Sequence, residues 1–314
     1  MPDVTCLGEL LIDFTSVTPG ASIMATPAFE KHAGGGPANV AVGVCRLGGS
    51  AAFLGMVGND EFGRYLAGEL ADRAVDITGL RYSDQAHTTL AFVALRDDGE
   101  REFIFYRNPG ADMLYAPADV DASLLAAGRV LHHGSISLIA EPNRSATLQA
   151  VAIAKSHGRI ISFDPNLRLN LWPNAEAAFS GIQLGIPTAD LLKVSAEELT
   201  FITGEQSIDA GMAALTARGV PVVVVTLGEE GCAYVWGPYR GRVTTTPRPA
   251  VDTTGAGDAF VAGLLYGLTR VSTSHLALSH DEVKNILGFA NTVAGHVVTK
   301  RGAIPAMPTL AELR

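Results

Sequence analysis

Arg159-Ile160-Ile161-Ser162-Phe163-Asp164 reads as a short apolar strand ending on an acid, and a helical pattern over residues 175–184 separates it from the next such strand, Leu191-Leu192-Lys193-Val194. Short runs that are apolar throughout suit strands covered on both faces, and a helix between two of them marks a βαβ crossover. The pattern continues in both directions. Val130-Leu131-His132-His133 and a helix over 143–157 precede it; helices over 195–203 and 207–218 follow, leading into Val220-Pro221-Val222-Val223-Val224-Val225-Thr226. This alternation predicts an α/β fold of three layers, a mostly parallel central sheet with helices on both faces.

Outward from this block the chain varies. Residues 4–14, Val4 to Phe14, form a mostly apolar run ending near Asp13, read as one buried strand whose C-terminal end opens onto a crevice. A strand over 51–57 and a helix over 60–74 come next. Residues 88–95 and 101–106 then alternate around a turn at Asp97-Asp98-Gly99, with no helix to cover them. With residues 15–32 they suggest a small separate sheet, a lid whose strands are inserted within about 15–32 and 82–108. Its apolar faces invite a twofold partner, a homodimer through the lid. Strands over 232–236 and 242–246 and helices over 257–268 and 281–298 complete the chain. No internal repeat or low-complexity linker divides it, so residues 1–314 are expected to be a single domain.

Composition narrows the function. A chain of 314 residues, 47% hydrophobic and 18% charged, can bury a large core. Its net charge of −9 argues against a nucleic-acid or anionic-membrane surface. Cys6, Cys45 and Cys232 are far apart and lie among apolar neighbours, as free thiols in a reducing compartment would. Neither a basic leader nor a membrane-length apolar run is seen, and the expectation is a cytoplasmic protein.

Two glycine-rich stretches carry chemistry. In Val251-Asp252-Thr253-Thr254-Gly255-Ala256-Gly257-Asp258-Ala259-Phe260 a turn runs into a small-residue helix, so its N–H groups sit at a helix N-terminus, where an anion is favoured. Asp258 in that first turn has an ordinary reading as a cap or dipole partner. Beside an anion-binding turn it has a second, as the base that takes a hydroxyl proton during phosphoryl transfer. In Gly34-Gly35-Gly36-Pro37-Ala38-Asn39 a proline at the first helical position follows three glycines. Backbone there can approach a hydroxyl-rich ligand closely, with Asn39 offering both donors and an acceptor. Asp13 is a candidate for gripping a polar substrate; Arg107, before Asn108-Pro109-Gly110, reaches either a ligand or a surface acid. His132 and His133 lack a third ligand at a suitable spacing, and Trp172 and Trp236 read as packing.

These two stretches, in this order and separation, resemble the two signature motifs of the ribokinase/PfkB family of carbohydrate kinases, and the resemblance covers essentially the whole chain. Gly8-Glu9-Leu10-Leu11-Ile12-Asp13-Phe14, Arg101 to Pro109, His133 to Ile139, Asp164-Pro165-Asn166-Leu167-Arg168 with Leu171-Trp172, and Gly302-Ala303-Ile304-Pro305 are most similar to fructokinases. The resemblance implies transfer of the γ-phosphoryl group of ATP to a primary hydroxyl of a hexose, most simply D-fructose, with Mg2+. Asp258 would match the base, and Gly255, Ala256 and Gly257 the anion hole. Asp13, Gly34, Gly35 and Asn39 would meet sugar hydroxyls, with Arg107 a lid contact and Arg168 near substrate or phosphate. Lys193, Thr226, Gly228, Gly231 and Asn291 would line the nucleotide side, and Glu198 would act on magnesium indirectly. A monovalent cation, K+, would sit at the loop around Asp252 and Thr254. Ser195, Leu11 and Gly36 depart from the ribokinase pattern, the last two away from ribose.

Three other readings stand beside this one. A 2-keto-3-deoxygluconate kinase shares the fold and the base and needs a cation for the substrate carboxylate, which Arg107 or Arg168 could supply. A catalytically silent sugar-binding relative would have lost the base or the glycine turn, and both are intact. Dinucleotide binding fails, because no Gly-x-Gly-x-x-Gly follows the first strand.

Overall fold

In the computed structural model, which describes residues 1–95, 101–271 and 276–313, apolar runs become strands and periodic segments become helices in close agreement with the pattern above. In chain order the strands are β1 (Val4–Leu7), β2 (Leu11–Ser16), β3 (Phe29–Gly34), β4 (Ala51–Gly58), β5 (Leu80–Ser83), β6 (Leu90–Leu95), β7 (Arg101–Tyr106), β8 (Val130–His133), β9 (Ile160–Phe163), β10 (Leu191–Ser195), β11 (Val222–Thr226), β12 (Cys232–Trp236) and β13 (Tyr239–Val243). The α-helices are α1 (Gly36–Arg46), α2 (Glu61–Ala71), α3 (Ala122–Ala127), α4 (Asn143–Ser156), α5 (Ala175–Gly185), α6 (Ala196–Thr203), α7 (Ile208–Ala217), α8 (Ala256–Arg270) and α9 (His280–Val297).

Among the described residues a nine-stranded sheet has the order β13-β12-β11-β10-β9-β8-β1-β4-β5. Its pairs are parallel except β11 with β12 and β12 with β13. Successive residues of each strand enter opposite layers, as the two-residue period requires. Val222 and Val224 pack into the core under α1, α8 and α9, whereas Val223 and Val225 pack into the core under α5, α6 and α7. The helices start where local chemistry allows: Asp60 accepts from Gly63 N at 2.8 Å ahead of α2, and Ser279 with Glu282 forms a capping box for α9.

A second, four-stranded sheet has the order β3-β2-β6-β7, built from segments close to the predicted lid strands. Three predictions need correction or qualification. Residues 4–14 are two strands rather than one: β1 belongs to the large sheet, and the chain crosses at Gly8-Glu9-Leu10 into β2 of the small one. β1 and the start of β2, Leu11-Ile12, are buried and mostly apolar, so the run conceals the switch. The strand expected at 242–246 begins at Tyr239, because the turn at Gly237 pairs Trp236 with Tyr239. The turn at Asp97-Asp98-Gly99 lies outside the described residues. One helix was missed: α3, whose N-cap Asp121 accepts from Ser123 N at 3.0 Å and Leu124 N at 3.2 Å. No helix among the described residues is long and apolar enough to cross a membrane.

Candidate active site

Parallel strands share a C-terminal edge, and their ends bring Glu9, Asp164, Ser195 and Thr226 to one rim of the sheet. The start of α8 arrives at the same rim. Gly255 there has φ +77°, and a Cβ on it would lie 2.6 Å from Ala303 Cβ, so only glycine allows the turn. Asp252 fixes the approach: Oδ1 accepts from Thr254 N at 2.9 Å and Thr254 Oγ1 at 2.6 Å, while Oδ2 accepts from Gly302 N at 3.0 Å. Ala256, Gly257 and Asp258 then form the first turn of α8, at the positive dipole end of the helix, with Ala256 N donating to Thr253 O at 3.3 Å.

Asp258 is buried and gripped on both oxygens. Asn39 Nδ2 donates to Oδ2 at 2.7 Å, and Asn166 Nδ2 donates to Oδ1 at 3.2 Å. Burial pushes its carboxyl up to about 6, against the Asn39 hydrogen bond and the positive charges of Lys193 and Arg168. It lines a cavity of about 360 Å³ together with Glu9, Asp13, Gly35, Asn39 and Arg168. Burial also raises Glu9 and Asp13 to about 7 each, Arg168 opposing the rise at Asp13. Asn39 Oδ1 is buried with no hydrogen-bond partner among the described residues, an acceptor suited to a ligand hydroxyl. The lid closes this cavity with Phe103 and Phe105, whose rings stack with centroids 6.2 Å apart.

A second cavity, of about 410 Å³, lies on the other side of the turn, lined by Thr226, Gly228, Gly231, Arg248, Asn291 and Gly295 among others. Thr253 and Gly257 line both cavities, so the glycine turn is their common wall. Asn291 already donates to Val243 O at 3.0 Å, which ties α9 to β13 at the cavity edge.

Several predicted residues sit differently from the expectation. Arg107 does not line the cavity with Asp258; its Nε and Nη2 fork onto Asp112 Oδ2 at 2.8 and 2.7 Å, deeply buried. Gly34 backs the Asp13 side chain rather than the cavity. Lys193 Nζ pairs with Asp164 Oδ2 at 3.0 Å behind Gly257. Burial lowers that ammonium, yet Asp164 and Glu198 beside it outweigh this and hold it above its ordinary value. Glu198 spends both oxygens on backbone, accepting from Leu167 N at 2.7 Å and Ser195 N at 2.8 Å. Sequence reasoning missed Asn166, Asp164 and Glu9 as site residues. The available signals were a strand-end acid and an Asn after proline, a residue type that tolerates a left-handed turn. His132 is buried on Ser162 Oγ at 3.0 Å, and no metal-holding group of three or more His, Cys, Asp or Glu occurs among the described residues.

The family model described as pfkB family carbohydrate kinase matches residues 1–310. A probable fructokinase-7 of Arabidopsis thaliana is 50% identical over 312 residues, 98% of this chain and 90% of that protein. A fructokinase from Vibrio cholerae O395 in fructose, ADP and calcium ion bound form superposes with a TM-score of 0.90 at 36% identity, covering 100% of this chain and 98% of that one. A double mutant of the Vibrio enzyme in fructose, ADP and potassium ion bound form gives a TM-score of 0.89 at 36% identity, over 100% of this chain and 97% of that one.

Proposed function

Because the chain belongs to the pfkB family of carbohydrate kinases, we propose that it is an ATP-dependent fructokinase, moving the γ-phosphoryl group of ATP to the 6-hydroxyl of D-fructose. The observation that carries this is the position of Asp258 in the first cavity, next in the chain to Gly257, which with Thr253 forms the wall shared with a second cavity bordered by glycine turns.

In this reading the sugar occupies the cavity with Asp13, Gly35 and Asn39, and Asn39 Oδ1 accepts one of its hydroxyls. Asp258 takes the proton of the primary hydroxyl as its oxygen forms the new P–O bond and the bond to the β,γ-bridging oxygen breaks. The N–H groups of Gly255, Ala256 and Gly257 receive the charge of the transferring group, and Lys193, held by Asp164, supplies a fixed positive charge behind them. Phe103 and Phe105 exclude water, which protects the phosphoryl donor from hydrolysis.

The nucleotide fits the second cavity, with Thr226, Gly228, Gly231 and Asn291 on its walls. Magnesium, when bound, neutralises phosphate oxygens. Glu198 and Asp164 are committed to backbone and to Lys193, so they suit the outer hydration shell of an ion carried in on the phosphates rather than direct ligation. The Asp252 staple between the 252–254 and 302 turns supports a potassium site there. The lid's outer face, where Phe92 stacks on Phe14 at 4.9 Å and Tyr106 stands 64% exposed, is proposed to pair with a second copy of the chain.

A keto-acid substrate is disfavoured by the same cavity, where the charge of Arg168 already acts on two carboxyls, Asp13 and Asp258. The test is a panel of sugars with ATP and magnesium, following ADP release. Fructose should be the best substrate; turnover on 2-keto-3-deoxygluconate with none on fructose would reverse the assignment.

A further inference from the structure

We infer that Asn166 is a positioning residue for the base, its side-chain amide and that of Asn39 clamping the two oxygens of Asp258 so that the carboxylate is held toward the sugar cavity. The inference rests on the kinase reading above and adds to it a part that the chain's signature motifs do not contain.

Four observations converge. Asn166 has φ +42°, a left-handed conformation that Asn and Gly adopt most readily, and its N–H donates to Asp164 Oδ1 at 3.0 Å, which locks the turn. That turn aims Nδ2 at Asp258 Oδ1, 3.2 Å away, across 92 residues of chain. Room for the amide exists because residue 36 is glycine: a Cβ there would sit 2.7 Å from Asn166 Nδ2 and 3.5 Å from Asp258 Oδ1. Asp164, which fixes the Asn166 turn with one oxygen, holds Lys193 with the other at 3.0 Å, and Lys193 lies against Gly257. One short segment, Asp164-Pro165-Asn166, therefore ties the base to the cation behind the anion-binding turn. Amide donors favour the ionised carboxylate, whereas Asp164 and Asp13 oppose it; Lys193 and Arg168 add their positive charges, and Glu9 faces the same glycine.

Asn166→Gly removes the amide while permitting the left-handed backbone. Turnover should fall about ten- to a hundred-fold, as for a slightly misplaced catalytic group, with KM for fructose moving by less than about threefold. Carboxyl-13C NMR of aspartate-labelled protein supplies a readout that needs no substrate: the resonance that disappears in Asp258→Asn is assigned to Asp258, and in Asn166→Gly it should titrate above the wild-type value of about 6. Asn166→Asp, which keeps shape and turn preference but loses the donor, should shift it in the same direction and serves if the glycine variant does not fold. An unmoved Asp258 titration with near-normal turnover overturns the inference, and so does a lowered melting temperature with both unmoved, which marks a merely structural turn. Wild-type protein inactive on every sugar would sink the kinase reading, while the titration would still decide the role of Asn166.

Discussion

At the residue scale, Asp258 must satisfy two demands that oppose one another. Burial keeps water from the reacting groups but raises the carboxyl to about 6, where a base begins to be protonated. The amide of Asn39 and the charges of Lys193 and Arg168 keep it from rising further. Two outcomes follow for Asp258 itself. Asp258→Asn should lower turnover by ~10²–10⁴-fold while sugar and nucleotide affinities, measured by calorimetry, stay near wild type. In the wild type, kcat/KM should rise with pH and level off only above about 8, because Asp258, near 6, and Asp13, near 7, must both lose their protons. Activity flat from pH 5 to 8 would remove Asp258 as the base. Asp258 and its glycine turn were legible in the sequence, since a helix start, its donors and its carboxylate are contiguous. Asn166 was not, because its meaning depends on a contact with a residue 92 positions away.

At the element scale, the crossing from β1 to β2 and the anchoring of the lid hairpin matter most. β2 carries Asp13 out of the large sheet and into the small one, so the sugar cavity is walled by both. The hairpin end is pinned by Arg107 on Asp112, which also accepts from Thr89 Oγ1 at 2.5 Å. Arg107→Met leaves the Asp112 carboxylate buried without its cation, which costs about 3–5 kcal/mol. Thermal melts should show a clear fall in stability while KM for fructose changes little. A raised KM at unchanged melting temperature would instead make Arg107 a substrate contact. From sequence a conspicuous arginine beside a predicted lid reads as a ligand group; its acid partner five residues on gives no periodic signal.

At the scale of the whole molecule, the outer lid face sets a further expectation. Phe29, Phe92 and Tyr106 form an edge-packed aromatic group, with Tyr106 at 64% and Ile104 at 42% exposure, on the face opposite Phe103 and Phe105. Light scattering should give twice the chain mass, and Tyr106→Lys should shift it toward one chain, since a charge is costly to bury in an apolar contact. A wild-type monomer at high concentration would remove the twofold contact. The sequence by itself determined the layered α/β class, the two glycine motifs and the order of nearly all the elements, because periodicity, caps and turns are local consequences of residue type. The tertiary structure alone decided where β1 ends and the lid begins, that Arg107 answers Asp112, and that Asn39 and Asn166 close on Asp258. Those outcomes come from packing between segments distant in the chain, and local patterns hold no information about which buried neighbour a side chain will meet.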